Sequence, residues 1–171
     1  ENSTDLFGSN ASAIAPTKIA FIGRGGTASA SELVTNAFIP YLGSNMALVG
    51  TNTYGKPVGQ FGFDNPSGCD DRMRAVTFKT ENRDGQGEYF TGLASVVPNT
   101  CRADDDITAP LGDPSEASIA QALSFLRTGA ASCSAITGTT GVQGTQRTTS
   151  SRQLLQPDLP TAAQREVPGL F

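Results

Sequence analysis

The chain of 171 residues contains no histidine, and this absence excludes several common catalytic arrangements. A Ser-His-Asp triad, a Cys-His dyad and a histidine-containing zinc site all require an imidazole ring. A general base in this protein must therefore be a lysine, an acidic residue, a tyrosine or a terminal amine.

Basic residues are few and scattered. The 12 lysines and arginines stand against 16 acidic residues, which gives a net charge of −4 and a pI near 4.7. Because binding to phosphate backbones requires clustered positive charge, nucleic acid is not expected as a partner, and neither is a membrane surface. No run of about 18 apolar residues predicts a membrane span, and no signal-peptide pattern opens the sequence.

Cysteine is also scarce, at Cys69, Cys101 and Cys133. Their wide spacing does not match the paired ligands of a structural zinc site. We expect a disulfide with Cys69–Cys101 as the preferred pair, although other pairings and three free thiols stay open. A disulfide would favour an oxidising compartment outside the cytoplasm.

The first half of the chain predicts an α/β fold. Lys18 to Gly23 is a short apolar strand, a helix follows from Ser29, and Met46 to Gly50 is a second buried strand. A strand, a helix and a strand within about 30 residues indicate a crossover unit with parallel strands. Gly43 marks the expected end of the helix, after Pro40. Its predicted buried face consists of Ala30, Leu33, Val34, Ala37, Phe38, Tyr41 and Leu42.

The second half predicts fewer elements. Residues 74–80 alternate as a half-buried strand, and the Asp-Gly pair within 82–87 predicts a hairpin turn into a return strand over 88–93. A helix is expected to about Arg127, with Asp113 as its N-cap.

An acidic run, Asp104 to Asp106, lies before this helix. We interpret the run as a solvated turn rather than a calcium loop, because the spacing of its acidic residues fits calcium ligands poorly.

A glycine-rich turn follows the first strand. Gly23-x-Gly25-x-x-Ala28 lies between a strand and a helix, which is the context of a dinucleotide-binding loop. Such a site also needs an acidic residue at the end of the second strand to bind the ribose. The second strand ends at Gly50-Thr51-Asn52, and after Glu32 the next acid is Asp64. The dinucleotide-binding module is therefore kept only as an alternative.

A serine nucleophile is the other interpretation of the same turn. Ser29 and Ser31 stand at the start of the predicted helix, where backbone N–H groups can stabilise an oxyanion. Lys56 follows the second strand, and the two turns are expected at the same end of a parallel sheet. A buried lysine can serve as a base, and Gln60 can orient it by hydrogen bonding. On these residues alone, the serines could equally be helix caps and the lysine a solvated loop residue.

Two segments together resemble a known family. TASASE over residues 27–32 and TYGKPVGQ over residues 53–60 look like the carboxyl-terminal processing proteases, also called tail-specific proteases. The resemblance implies Ser29 as nucleophile, Lys56 as base, Gln60 as its supporting residue and the Ala30 N–H as an oxyanion donor. The segment between serine and lysine is slightly longer than is usual in the family, which keeps Ser31 as the alternative nucleophile.

The resemblance extends over roughly residues 18 to 126 and implies a crotonase or Clp-protease type of α/β fold, built of strand-strand-helix units and here incomplete. We accordingly divide the chain into a lead-in (1–17), the C-terminal portion of a serine peptidase catalytic domain (18–127), and a flexible or extended tail (128–171).

The same resemblance implies an extracytoplasmic endopeptidase that cleaves proteins near their C-terminus and needs no metal or cofactor. An upstream part of the polypeptide would supply a second oxyanion contact, so the chain alone could be inactive. A protease-like binding domain without activity is the remaining alternative.

Overall fold

The computed structural model describes residues 3–6, 8–64 and 71–137. Within these residues the protein is a mixed α/β structure with a parallel sheet, a separate antiparallel hairpin, two α-helices and three short 3-10 turns. The strands and helices in chain order are β1 (Ile19–Gly23), α1 (Ala30–Leu42), β2 (Met46–Gly50), β3 (Val58–Asp64), β4 (Arg72–Lys79), β5 (Thr100–Arg102) and α2 (Ala117–Thr128).

The central sheet has three parallel strands in the order β1-β2-β5. Ile19 pairs with Met46 and Gly23 with Gly50, so β1 and β2 run in register along their whole length. The predicted β-α-β crossover is therefore confirmed. Its two strands end at the same edge of the sheet, from which the turns before α1 and after β2 emerge.

Alternate side chains of β2 enter two cores on opposite faces of the sheet. Met46 and Leu48 pack with Tyr89 and Leu93, and residues of α1 cover this first core. The second core lies under α2 and consists of Ala47, Val49, Cys101, Ala122 and Phe125. The result is a layer of helix on each face, with every residue of β2 buried.

The buried face of α1 differs from the predicted one. Its fully buried residues are the polar Glu32, Thr35 and Asn36, whereas Val34 and Tyr41 are more than half exposed. Hydrogen bonds to neighbouring loops explain the difference: Asn36 Nδ2 donates to the Gln86 carbonyl at 2.8 Å, for example. Only the later part of the predicted face packs on the core, through Phe38 and Leu42 together with Ile39.

The antiparallel hairpin forms from β3 and β4. The predicted return strand over residues 88–93 is wrong, because Tyr89 and Leu93 are fully buried in the first core instead of pairing with β4. A tight turn is present at 82–86, where the Asn82 N–H donates to the Gln86 carbonyl at 3.0 Å. Asp-Gly therefore marks a turn here without marking a hairpin.

One disulfide lies among the described residues, between Cys101 of β5 and Cys133. The preferred pairing of Cys69 with Cys101 is thus wrong, and Cys69 lies outside the described residues. Two hydrogen bonds also attach the segment after α2 to β5. The Arg102 N–H donates to the Ser134 carbonyl at 2.7 Å, and the Ile136 N–H donates to Thr100 Oγ1 at 3.0 Å.

Residues 129–136, which the sequence analysis assigned to the tail, therefore pack along β5. The rest of the predicted tail, residues 138–171, lies outside the described part of the chain.

The start of α2 differs from its prediction by one turn. Glu116 is the N-cap, and its carboxylate accepts hydrogen bonds from the backbone N–H groups of Ser118 and Ile119. Asp113, the predicted cap, accepts instead from Ser115 in the preceding turn. An acidic cap was predicted correctly, but the wrong acid was chosen, because Asp113 and Glu116 both precede the same apolar helix.

The acidic run before α2 is engaged in local contacts. Asp105 lies 3.4 Å from the Arg24 guanidinium, and Asp106 Oδ1 accepts from the backbone and hydroxyl of Thr108. Within residues 3–6, 8–64 and 71–137, no group of three or more acidic or cysteine side chains is placed to hold a metal ion. No helix in this part is long and apolar enough to cross a membrane.

Candidate functional site

Ser29 stands at the junction between the glycine turn and α1. Its φ of 54° and ψ of −114° lie in a region that is strained for any residue except glycine. The residue is exposed, and the next residue, Ala30, begins the helix. Ser29 is the N-cap of α1 and forms a capping box with Glu32.

Lys56 lies in the turn that follows β2 and leads into β3. One hydrogen bond attaches this turn to the glycine turn, from the Tyr54 N–H to the Thr27 carbonyl at 2.9 Å. Gly55, beside Lys56, has a φ of 91° that a side chain would strain. The Lys56 residue itself is half-buried. The structure thus places the serine turn and the lysine turn side by side, as the parallel-sheet argument predicts.

A buried carboxylate joins the two turns. Glu32 is 0% exposed, and its Oε2 accepts from the backbone N–H of Ser29 at 3.0 Å and from that of Lys56 at 2.8 Å. Its Oε1 accepts from the N–H of Gly55 at 2.7 Å. Since one oxygen binds both amides, the backbones of Ser29 and Lys56 are held within two hydrogen-bond lengths of each other.

Glu32 is a site residue that was not predicted, although the sequence contains a signal for it. An acid three residues after a serine is a capping box, and this predicts the contact to the Ser29 N–H. The negative charge of Glu32 also acts on its surroundings. Burial is the main cause that raises the pKa of the Tyr89 phenol, and the Glu32 carboxylate raises it further, while a hydrogen bond to Thr80 opposes both.

Gln60 occupies a different environment. It is exposed on β3, beside an irregularity in the pairing with β4 between Gly59 and Gln60, where Gln60 faces Val76. Among the described hydrogen bonds, none joins its side chain to Lys56. The structure therefore brings the serine and lysine turns together and leaves Gln60 on the neighbouring hairpin.

Ala30 and Ser31 complete the serine turn. Ala30 is the first helical residue, so its N–H has no acceptor within the helix and can serve an oxyanion. Ser31 lines a mostly apolar cleft of about 270 Å³, together with residues of β1 and α1. Ser29 is not among the lining residues, so the two candidate nucleophiles differ in surroundings. The lining residues are Phe21, Ile22, Gly23, Thr27, Ser31, Val34, Thr35, Leu48, Thr53 and Leu93.

No protein-family model, curated protein or solved structure matches this chain. The site is therefore interpreted from its own geometry.

The dinucleotide interpretation finds little support at the end of β2. The position where an acid would bind a ribose is close to Asn52, whose side chain is committed to the adjacent loop. Its Oδ1 accepts from the N–H groups of Thr53 and Ala94, both at 2.9 Å, and its Nδ2 donates to the Thr91 carbonyl at 2.7 Å. The end of β2 is thus used to fix the loop that bears Leu93.

Proposed function

We propose that the protein is a serine endopeptidase in which Ser29 is the nucleophile and Lys56 the general base. The observation that carries the proposal is the pair of hydrogen bonds from the Ser29 and Lys56 amides to one carboxylate oxygen of Glu32. In a sequence without histidine, a lysine beside the serine is one of the groups that can act as the base in acyl transfer.

The chemistry follows from the roles of these two side chains. Lys56 accepts the proton of the Ser29 hydroxyl while Oγ attacks the peptide carbonyl, and the Ala30 N–H donates to the oxyanion. Lys56 then gives this proton to the leaving amine as the C–N bond breaks. Water attacks the acyl-enzyme with Lys56 again as base, which releases the acid and restores Ser29. Neither a metal nor a cofactor enters these steps.

Ser29 is the N-cap of α1, but its strained backbone distinguishes it from an ordinary serine cap and supports the assignment as nucleophile. Serine caps normally adopt extended backbone angles, which cost nothing. A positive φ at a non-glycine residue costs on the order of 1–3 kcal/mol and persists where surrounding contacts enforce it. Such contacts are present here: the Ser29 N–H donates to Glu32, and three further hydrogen bonds join the lysine turn to Glu32 and to Thr27.

Further parts of the proposal rest on the family resemblance. We infer a crotonase or Clp-protease type of fold, cleavage near the C-terminus of protein substrates, and a second oxyanion donor from an upstream part of the polypeptide. The same resemblance assigns Gln60 as the residue that supports Lys56. The Cys101–Cys133 disulfide supports an extracytoplasmic location, since disulfides persist in oxidising compartments.

The decisive experiment measures cleavage of an unstructured protein by the polypeptide as the cell makes it, including any residues encoded before Glu1. Ser29→Ala and Lys56→Ala should each lower kcat by at least about a thousandfold, because each removes a group that acts in every turnover. Lys79→Ala is the matched control, since Lys79 lies on β4 and pairs with Glu81 and Glu88.

Ser31→Ala separates the two candidate nucleophiles in the same assay. Retained turnover in Ser31→Ala together with lost turnover in Ser29→Ala assigns the nucleophile to Ser29. The reverse result moves it to Ser31. Full turnover in Lys56→Ala contradicts the proposed mechanism, and a folded wild-type protein that binds peptides without cleaving them identifies a non-catalytic binding domain.

A further inference from the structure

The Glu32 carboxylate has more partners than a helix cap requires. Ser29 and Glu32 form the capping box of α1, and in it the Glu32 carboxylate accepts one hydrogen bond, from the N–H of Ser29. The same carboxylate also accepts from Gly55 and Lys56, which lie 23 and 24 residues further along the chain. The two additional contacts fix the position of the lysine turn relative to the start of α1.

The location of this carboxylate makes its contacts costly to lose. Glu32 is fully buried, and a buried carboxylate destabilises a protein unless hydrogen bonds replace its lost hydration. Three backbone N–H donors at 2.7 to 3.0 Å provide that replacement. These donors are rigid parts of the two turns, so their positions are coupled through one side chain.

We propose that Glu32 is a positioning residue that sets the separation of Ser29 and Lys56. The proposal rests on the proposed function, because the separation matters for proton transfer between these two residues. Glu32 does not touch the substrate. It acts by holding both backbones to one carboxylate, so that the serine hydroxyl and the lysine amine meet in a geometry that allows reaction.

Glu32→Gln tests the proposal with little change in side-chain shape. A glutamine amide has one oxygen and one NH₂ group, so a donor faces at least one of the three N–H groups. The lysine turn should then shift relative to Ser29. Because a displacement of about 1 Å at a reacting pair can lower turnover roughly a hundredfold, we expect kcat to fall by at least about tenfold while KM changes less than about twofold.

Asn36→Ala is the matched control on the same helix. Asn36 is also 0% exposed, but its side chain bonds to Gln86 and Asn82, on a loop that does not contain Ser29 or Lys56. We expect this variant to lose stability and keep its kcat. Amide hydrogen exchange supplies a second measurement: Glu32→Gln should accelerate exchange at Ser29, Gly55 and Lys56, and Asn36→Ala should not.

The outcomes separate the two proposals. A folded Glu32→Gln variant with the kcat of Asn36→Ala overturns the role of Glu32 and leaves the Ser-Lys mechanism intact. Full turnover in Ser29→Ala or Lys56→Ala removes the mechanism and the role of Glu32 with it. If Glu32→Gln does not fold, Glu32→Asp decides: its shorter carboxylate should keep the Ser29 contact, release the lysine turn and lower kcat, and an unchanged kcat overturns the proposal.

Discussion

The parallel sheet and the β3–β4 hairpin differ sharply in how they are supported. Every residue of β2 is buried between two helical layers, whereas β3 and β4 have no fully buried residue. Five large apolar side chains of the hairpin are 42% to 63% exposed, and the Phe61 ring contacts the Phe78 ring across the strands. The five are Phe61, Phe63, Met73, Val76 and Phe78.

The candidate site extends over both regions. Ser29 lies in the unit formed by β1, α1 and β2, Gln60 lies on the hairpin, and Lys56 lies in the turn between them. The lysine turn is fixed because Glu32 and Thr27 bind its backbone. Ser29 and Lys56 are therefore positioned by hydrogen bonds to residues of the unit that contains the parallel sheet, whereas Gln60 lies on an exposed hairpin.

Truncation of one phenylalanine in each region should give the largest contrast. Phe125 is fully buried in the core under α2, so Phe125→Ala should lower the free energy of unfolding by about 3–5 kcal/mol. Phe63 is 48% exposed, and Phe63→Ala should cost about 1 kcal/mol or less. Urea unfolding of both variants measures the difference, and equal losses would mean that the hairpin face is covered in solution.

The unit of β1, α1 and β2 was predictable from sequence, and so was β4, which the strand predicted over residues 74–80 matches, whereas β3 and its pairing with β4 were not. β1, α1 and β2 carry strong local signals, namely short apolar runs ended by Gly23 and Gly50. The strand β3 has two glycines among seven residues, which weakens a strand pattern, and one of them makes room for the Phe78 ring. Such a fit depends on the partner strand, so no local pattern could reveal it.

In the candidate site, too, one feature follows from local sequence signals and another depends on residues far away in the chain. The proximity of the serine and lysine turns follows from strand order in a parallel unit, which the sequence predicts. The burial of Glu32 and Asn36 does not follow, because their side chains are buried where distant loops offer them hydrogen bonds. Those loops come from residues 53–56 and 82–86, whose placement depends on the whole fold.

Removal of the disulfide should have the next largest effect on the stability of the protein. Cys101 and Cys133 are separated by 32 residues, and loss of this cross-link should reduce stability by about 3 kcal/mol. Cys133→Ser should therefore lower the thermal midpoint, and Cys69→Ser should leave it nearly unchanged. A larger effect of Cys69→Ser would favour the pairing that the sequence analysis preferred, and peptide mapping under non-reducing conditions identifies the bonded pair directly.

A methyl group at Gly55 tests how firmly the lysine turn is fixed. Gly55 has a φ of 91°, and an added Cβ would lie 2.4 Å from the Phe90 carbonyl oxygen. Gly55→Ala should therefore cost about 2 kcal/mol or more and reduce turnover by displacing Lys56. Gly26→Ala is the control, because nothing lies within 4 Å of its added Cβ. Equal stability of the two variants would show that the turn adapts and is not held by its neighbours.

The smallest expected effect concerns the cap of α2 and depends on pH. Hydrogen bonds from the N–H groups of Ser118 and Ile119 lower the pKa of the Glu116 carboxyl below its usual value. A lowered carboxyl pKa in the folded state gives stability above the ordinary carboxyl pKa, and this stability disappears as the pH falls through the lowered value. The stability difference between wild type and Glu116→Ala should therefore be present at neutral pH and vanish in acid.

A second measurement compares Glu116, the cap in the structure, with Asp113, the predicted cap. Ser115 likewise lowers the pKa of Asp113, through its hydroxyl and its N–H, but these bonds close the turn before α2 and do not cap its first N–H groups. Asp113→Ala should therefore leave the helical circular dichroism signal of α2 unchanged, whereas Glu116→Ala should reduce it. If Asp113→Ala reduced the signal more, the helix would begin one turn earlier in solution, at the residue that the sequence pattern favours.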